Sequence, residues 1–231
     1  MICIVYTMGK VGSTAISRAI KAAGLRCYDI HTMKDAALAG REPLPWHEEV
    51  SKARQAATSG DGLVITVARD PVARNLSGFF ENLALYAPEG LSKPHHAIDV
   101  FLEKYSHQIP TNWFQREMLG ELGVDLFSQP FDHKTRLQVH EGSPRVVAFR
   151  DDTADDVKSL TLSHEFGKTI TIGRERTSAE KPYGELYRLT VESAWAFLPA
   201  SYLDEMYDND YVRHFWTPAE IAALRSKWSA A

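Results

Sequence analysis

Residues 2–14 of the chain read ICIVYTMGKVGST. Its first five residues are apolar and mostly β-branched, which is typical of a buried strand. Two glycines follow, and the stretch ends in Ser13 and Thr14, whose side chains favour the first turn of a helix. This stretch therefore predicts a strand that turns directly into a helix.

The same order continues along the first third of the chain. It predicts a helix with its apolar face at residues 16–23, a strand over Leu25–Ile30, a helix over Trp46–Ala57, a strand over Leu63–Ala68, and a helix that begins at Asp70 and Pro71. Strands that alternate with helices build a parallel sheet.

The remaining chain is less regular. It predicts helices over Ala97–Tyr105 and Thr111–Leu122, a fourth strand over Arg145–Arg150, a helix over Val157–Phe166, a further strand over Lys168–Gly173, and late helices that start near Pro182 and at Thr217-Pro218. No internal repeat or linker divides the sequence. We therefore predict a single domain over residues 1–231, of the α/β class, with three layers around a central, mostly parallel sheet and with helical insertions.

Composition and charge narrow the class of protein. The 231 residues include 44% hydrophobic side chains, as in ordinary globular proteins, and carry a net charge of −4. This charge argues against broad binding to nucleic acid. No apolar run is long enough for a membrane span, and Cys3 and Cys27 are expected to be buried free thiols. The expectation is a cytoplasmic protein, with no prediction of its oligomeric state.

Three polar clusters follow the first three predicted strands: Lys10–Thr14, His31 and Arg69. In an open α/β sheet, ligands bind at this edge. In the first cluster the glycines allow close backbone approach, the helix start supplies amides and hydroxyls, and Lys10 adds a positive charge. Such a group is suited to a phosphate. A plain helix start without a ligand is the alternative interpretation.

The Lys10–Thr14 loop differs from the ATP-binding P-loop, which places its lysine after the second glycine. Here Lys10 precedes Gly12. The segment that starts at Arg69 also has an alternative interpretation as a solvated helix face, with exposed Ser77 and an arginine capped by Asp70.

Taken together, these motifs resemble the sulfotransferase family, which uses 3′-phosphoadenosine-5′-phosphosulfate (PAPS) as co-substrate. Lys10-Val11-Gly12-Ser13-Thr14 matches the family's 5′-phosphosulfate loop, and Arg69 with Ser77 eight positions later matches its 3′-phosphate motif. The resemblance implies a P-loop-like fold and an enzyme that transfers a sulfuryl group to a hydroxyl acceptor. It also implies that Lys10 is catalytic, and it requires no metal.

A wider likeness covers most of the chain. Lys181–Tyr187, Asp210–Phe215, Asn112–Phe114 and Phe131-Asp132 look like bacterial sulfotransferase-like proteins that are often labelled as capsular polysaccharide synthesis proteins. Many of these relatives have asparagine at the start of the late loop, where this chain reads Arg174-Glu175-Arg176-Thr177-Ser178. The resemblance implies a small-molecule or polysaccharide acceptor.

The acceptor hydroxyl needs a base. His31 is the candidate, because it ends the second strand beside the Lys10 loop and histidine is the residue type that most often serves as a base. Relatives use histidine or glutamate in this region, and a structural role for His31 is the alternative. Asp29 and Asp35 are weaker candidates, and a zinc site at His95-His96 is disfavoured.

Other features do not select an acceptor. Trp46, Trp113 and Trp216 suit either sugar stacking or, more commonly, burial as aromatic anchors. Arg174, Arg176 and Lys181 form either an anion-binding cluster or a solvated loop. Two other functions stay open, a P-loop-like nucleotide kinase and a non-catalytic nucleotide-binding protein of the same fold.

Overall fold

A computed structural model of the protein describes residues 1–34, 45–173 and 181–229. The described elements are β1 (Ile2–Tyr6), α1 (Ser13–Ala22), β2 (Cys27–Ile30), α2 (Pro45–Thr58), β3 (Gly62–Ala68), α3 (Pro71–Glu81), α4 (Leu83–Tyr86), α5 (Pro94–Lys104), α6 (Ile109–Trp113), α7 (Gly120–Leu122), β4 (Leu137–His140), β5 (Arg145–Arg150), α8 (Asp155–Phe166), α9 (Gly184–Ser193), α10 (Ala200–Tyr207), α11 (Asp210–Phe215) and α12 (Pro218–Trp228). A π-helix, Phe114–Leu119, joins α6 to α7, and short 3₁₀ turns lie at Leu126–Ser128 and Ala194–Ala196.

The five strands form one sheet in the order β2-β1-β3-β5-β4. Neighbours among the first four strands pair parallel, and β4 pairs antiparallel with β5. The next strand along the chain, β2, lies on one side of β1, and β3 lies on its other side. The order in which strands are added to the sheet therefore reverses between β1 and β3. This is the point where ligands bind in open α/β sheets. The predicted α/β class with a mostly parallel sheet is confirmed.

The parallel strands have the composition of buried strands. All seven residues of β3 are buried, and β1 is buried from Cys3 to Tyr6. Strands whose two faces are both covered read as continuous apolar runs, which is why these two were recognisable from sequence. Cys3 lies opposite Cys27 in the register of β1 and β2, and both are buried free thiols, as expected.

Two strand predictions are corrected. Residues Leu137–His140 form an edge strand that was not predicted, because its four residues LQVH alternate between apolar and polar over too short a stretch to mark a strand. Arg145–Arg150 is therefore the fifth strand and not the fourth. The strand predicted over Lys168–Gly173 is wrong. In that segment the amides of Ile170 and Ile172 donate to the Ser163 and Ser159 hydroxyls of α8, so side chains replace a strand partner.

The helix predictions are largely confirmed. The helix predicted over Thr111–Leu122 has three parts, α6, the π-helix and α7. Asp70 caps α3 by accepting from the Val72 amide, and Thr217 forms a capping box with Glu220 at α12. Among the described residues, no helix combines the length and the apolar character that a membrane span needs.

The chain groups into two compact units. The first unit, Met1–Arg69 with Trp113–Glu175, contains the sheet. The second unit, Asp70–Asn112 with Arg176–Ala231, is helical and has an aromatic core. Buried Asp70 connects elements of the second unit, because its carboxylate also accepts from the Tyr207 hydroxyl and the Trp228 indole. The single-domain prediction stays a prediction.

Candidate functional site

The loop between β1 and α1 has an unusual backbone. Gly9, Lys10 and Gly12 have φ angles of 72°, 62° and 80°, in the left-handed region. Glycine adopts this region freely, whereas a lysine there costs about 1–2 kcal/mol. Strain of this kind collects at functional sites, and loops of this kind turn backbone amides into an anion-binding concavity. The left-handed conformation of the loop is therefore typical of an anion-binding turn, and within it the Gly9 amide already donates to the Thr7 hydroxyl.

The start of α1 adds to this fit. Gly12 is the N-cap residue, makes no side-chain cap, and is followed by a first turn without acidic residues. The positive end of the helix dipole is thus not countered by a carboxylate of its own first turn. Ser13 is buried at the start of the helix, whereas Thr14 is exposed. Amides at such a helix start are suited to hold an anion.

Arg69 meets this loop from the neighbouring strand. Because β3 pairs with β1, the residue after β3 lies beside the loop that follows β1. The Arg69 guanidinium donates from Nη1 to the Lys10 carbonyl oxygen at 2.5 Å. The contact fixes the carbonyl of the one non-glycine residue of this loop that has a positive φ. Two residues predicted separately as phosphate ligands are therefore in direct contact.

Asp151 forms an ion pair with Arg69 and was not identified from the sequence. Its carboxylate Oδ2 lies 3.3 Å from Arg69 Nε, and its amide donates to the Ala68 carbonyl at 2.8 Å. The available signal was its place directly after β5, the parallel neighbour of β3. A carboxylate at this distance orients the guanidinium, and it also weakens the positive field that Arg69 presents to an anion.

His31 is held with one ring nitrogen assigned. Its Nδ1 lies 3.0 Å from the Thr7 carbonyl oxygen, and because a carbonyl only accepts, Nδ1 carries the hydrogen. In the neutral ring, Nε2 then has the free electron pair. A Cβ built on Gly9 would lie 3.5 Å from this Nε2, so the ring packs against the loop backbone. The exposed His31 ring is therefore held in place with Nε2 as its accepting nitrogen in the neutral form.

The turn after β2 is held from the segment around the π-helix. Trp113 donates from its indole nitrogen to the His31 carbonyl oxygen at 2.9 Å. Buried Glu117 accepts from the Met33 amide, the Thr32 hydroxyl and the Tyr6 hydroxyl. Burial, and then the bond to Glu117, raise the pKa of Tyr6 above its ordinary value. Sequence reasoning did not identify Glu117.

Ser77 belongs to the second unit, where it lies on α3 and is 4% exposed. The alternative interpretation of α3 as a solvated helix face is therefore wrong at Ser77. Its neighbours Arg74 and Asn75 are buried as well, and the guanidinium of Arg74 donates to the Tyr105 hydroxyl. The role of Ser77 as a phosphate ligand stays a prediction from motif spacing.

Other predicted residues have plainer roles. Trp113 and Trp216 are buried, in agreement with aromatic anchors, and Val11 is buried too. His95 and His96 contact each other, and the described residues contain no group of three metal-ligand side chains. Asp35 and the late loop at Arg174–Ser178 lie outside the described residues, so their predicted roles stay predictions.

A separate open pocket of about 440 Å³ lies between β2 and α2. Its lining consists of Arg26, Tyr28, Glu48, Glu49 and Lys52. Lys52 is paired with Glu48 at 2.5 Å, and the lining contains two basic and two acidic side chains. The pocket shares no lining residue with the site at Lys10, His31 and Arg69.

Comparison of the chain with protein-family models, with curated proteins and with solved structures gives no match. A function of the chain is therefore inferred from the residues of the site and from the resemblance of its motifs.

Proposed function

We propose that the protein is a PAPS-dependent sulfotransferase of P-loop-like, three-layer α/β fold, acting on a hydroxyl acceptor such as a carbohydrate. The observation that carries the proposal is the contact between Arg69 and the Lys10 carbonyl oxygen, at the point where the strand order of the sheet reverses. Lys10 of the first motif and Arg69 of the second thus lie side by side in the first unit.

The loop residues fit the 5′-phosphosulfate end of PAPS. The helix start after Gly12 offers amides, and the hydroxyls of Ser13 and Thr14 add donors. Lys10 supplies a full positive charge. When bound, PAPS supplies a sulfuryl group attached to a phosphate that leaves readily.

In this proposal the chain's own residues position reactants and move charge and a proton. His31 Nε2 accepts the proton of the acceptor hydroxyl while its oxygen forms a bond to sulfur. The bond between sulfur and the bridging oxygen breaks, and the leaving phosphate keeps the electron pair. Lys10 stabilises the charge that develops on that oxygen. The products are a sulfate ester and adenosine 3′,5′-bisphosphate.

Arg69 is assigned to the 3′-phosphate of the nucleotide. A guanidinium forms charge-assisted hydrogen bonds with phosphate, and the Lys10 carbonyl already fixes its direction. Asp151 opposes this role in part, since its carboxylate lies beside Arg69 and repels a phosphate. We therefore expect Arg69 to bind the phosphate while it keeps its ion pair, with less affinity than an isolated arginine would give.

Calorimetric titration separates this proposal from a nucleotide kinase. We expect adenosine 3′,5′-bisphosphate to bind much more tightly than ATP with magnesium, because the lysine precedes Gly12 and the loop lacks the lysine position of an ATP-binding P-loop. A preference for ATP with magnesium would contradict the proposal and favour the kinase.

A further inference from the structure

Glu117 is a buried carboxylate that no part of the proposed reaction uses. It is 4% exposed and accepts three hydrogen bonds in the first unit. Its Oε2 accepts from the Tyr6 hydroxyl at 2.5 Å and from the Met33 amide at 3.0 Å, and its Oε1 accepts from the Thr32 hydroxyl at 3.2 Å. Burying a carboxylate is costly unless such donors surround it. The three donors therefore offset the cost of burying this group.

The donors show which part of the molecule Glu117 holds. Thr32 and Met33 directly follow His31, and Tyr6 directly precedes Thr7, whose carbonyl accepts from His31 Nδ1. One carboxylate thus ties the turn that carries the histidine to the end of the strand that fixes its ring. Loss of these hydrogen bonds would therefore change the distance between His31 Nδ1 and the Thr7 carbonyl oxygen.

The segment that carries Glu117 supports the same conclusion. Glu117 lies in the π-helix Phe114–Leu119, and Trp113, directly before it, donates to the His31 carbonyl oxygen. π-Helices are rare and occur frequently at functional sites, where the wider turn changes the direction of side chains. Here Trp113 and Glu117 both contact residues 31–33, so one short segment holds the histidine turn at several points.

We propose that Glu117 is a positioning residue that holds His31 in the tautomer with hydrogen on Nδ1, which leaves Nε2 as the proton acceptor. The part about proton transfer rests on the proposed sulfotransferase function. The part about the tautomer does not, and it is measurable in the protein without any substrate.

The test compares four variants of the full chain. Glu117→Ala removes the acceptor, and Glu117→Asp keeps the charge but withdraws it by one methylene. Glu117→Gln keeps an oxygen for Met33 and Tyr6, and its amide can donate to the Thr32 hydroxyl. Glu121→Gln is the matched control, because Glu121 lies four residues further on and pairs with Arg54.

The primary measurement is the ¹⁵N NMR spectrum of the His31 ring nitrogens, assigned by their loss in His31→Ala. We expect the wild type, Glu117→Gln and Glu121→Gln to show hydrogen on Nδ1. We expect Glu117→Ala and Glu117→Asp to move toward hydrogen on Nε2, the form that free imidazole side chains favour in water. A merely structural carboxylate would lower stability in these variants without moving the tautomer.

Turnover with PAPS is the second measurement. We expect kcat to fall about 100-fold in Glu117→Ala and Glu117→Asp, since a misplaced catalytic group costs about that much. The KM for PAPS should change less than about twofold, and Glu117→Gln should recover most of the rate. If Glu117→Ala does not fold, Glu117→Asp carries the test.

An unchanged His31 tautomer in the folded Glu117→Ala or Glu117→Asp protein overturns the positioning role. If the tautomer moves but the wild type binds no adenosine 3′,5′-bisphosphate, the positioning role stands and the sulfotransferase proposal fails. The two results are therefore distinguishable.

Discussion

The glycines at the two ends of α1 allow the loop to be tested against its own control. Gly12, before the helix, has a φ of 80°, and Gly24, after it, has a φ of 72°. A Cβ built on either glycine meets nothing within 4 Å. Substitution by alanine therefore adds no clash at either end and costs only the left-handed backbone, about 1–2 kcal/mol.

The two alanine variants should lose the same stability and differ in binding. For a chain of this size, the cost corresponds to a Tm lowered by about 2–8 °C in both, as measured by calorimetry. Only Gly12→Ala relieves its strain by moving the amides of the candidate site. A hydrogen bond from a backbone amide to a charged phosphate contributes about 1.5–3 kcal/mol. Gly12→Ala should therefore bind adenosine 3′,5′-bisphosphate at least about tenfold more weakly.

Gly24→Ala should bind the nucleotide as the wild type does. Equal loss of affinity in the two variants would show that binding follows overall stability. Wild-type affinity in Gly12→Ala would show that the loop is not the anion site. Either result would refute the reasoning from backbone conformation.

Three further predictions concern charged and titratable side chains of the first unit. Arg69→Ala should weaken the binding of adenosine 3′,5′-bisphosphate by roughly ten- to 100-fold and that of adenosine 5′-monophosphate much less. An unchanged ratio of the two dissociation constants would reject the 3′-phosphate contact. Asp151→Asn should increase the affinity for the bisphosphate by about two- to fivefold, because it removes a negative charge beside the phosphate while an amide oxygen still orients Arg69. Weaker binding in this variant would show that the orientation of Arg69 matters more than the repulsion by Asp151. His31→Ala should keep the nucleotide affinity while kcat falls by about 100-fold or more, and undiminished turnover would eliminate His31 as base.

The parts of the fold that are visible in sequence are those set by local pattern. β1 and β3 are continuous apolar runs, and Asp70-Pro71 and Thr217-Pro218 are strong helix starts, so these elements were predictable within a residue or two. The edge strand β4 was not, because its alternation spans only four residues and its one buried side chain is the polar Gln138.

The candidate site divides in the same way. Lys10, His31 and Arg69 follow predictable strands, so their place at one edge of the sheet could be derived. Glu117 acts on residues 84 and 85 positions earlier in the chain, and only the folded structure brings them together. A single buried glutamate in a predicted helix has no sequence pattern that marks its partners.

Asp151 is an intermediate case. Its strand was predicted, but the pairing of β5 with β3 was not, and that pairing places the carboxylate beside Arg69. The sequence thus allowed the positive side of the site to be predicted and not the negative charge that moderates it.

The most direct test of the central claim is acceptor-dependent release of adenosine 3′,5′-bisphosphate from PAPS. The purified protein is incubated with PAPS and a panel of sugars, polysaccharides and simple alcohols, and the nucleotide and the sulfated product are quantified together. We predict that at least one hydroxyl acceptor yields the two products in equal amounts, and that Lys10→Ala abolishes both. A protein that binds the nucleotide but releases none with any acceptor would contradict the proposed transfer and favour a non-catalytic binding protein.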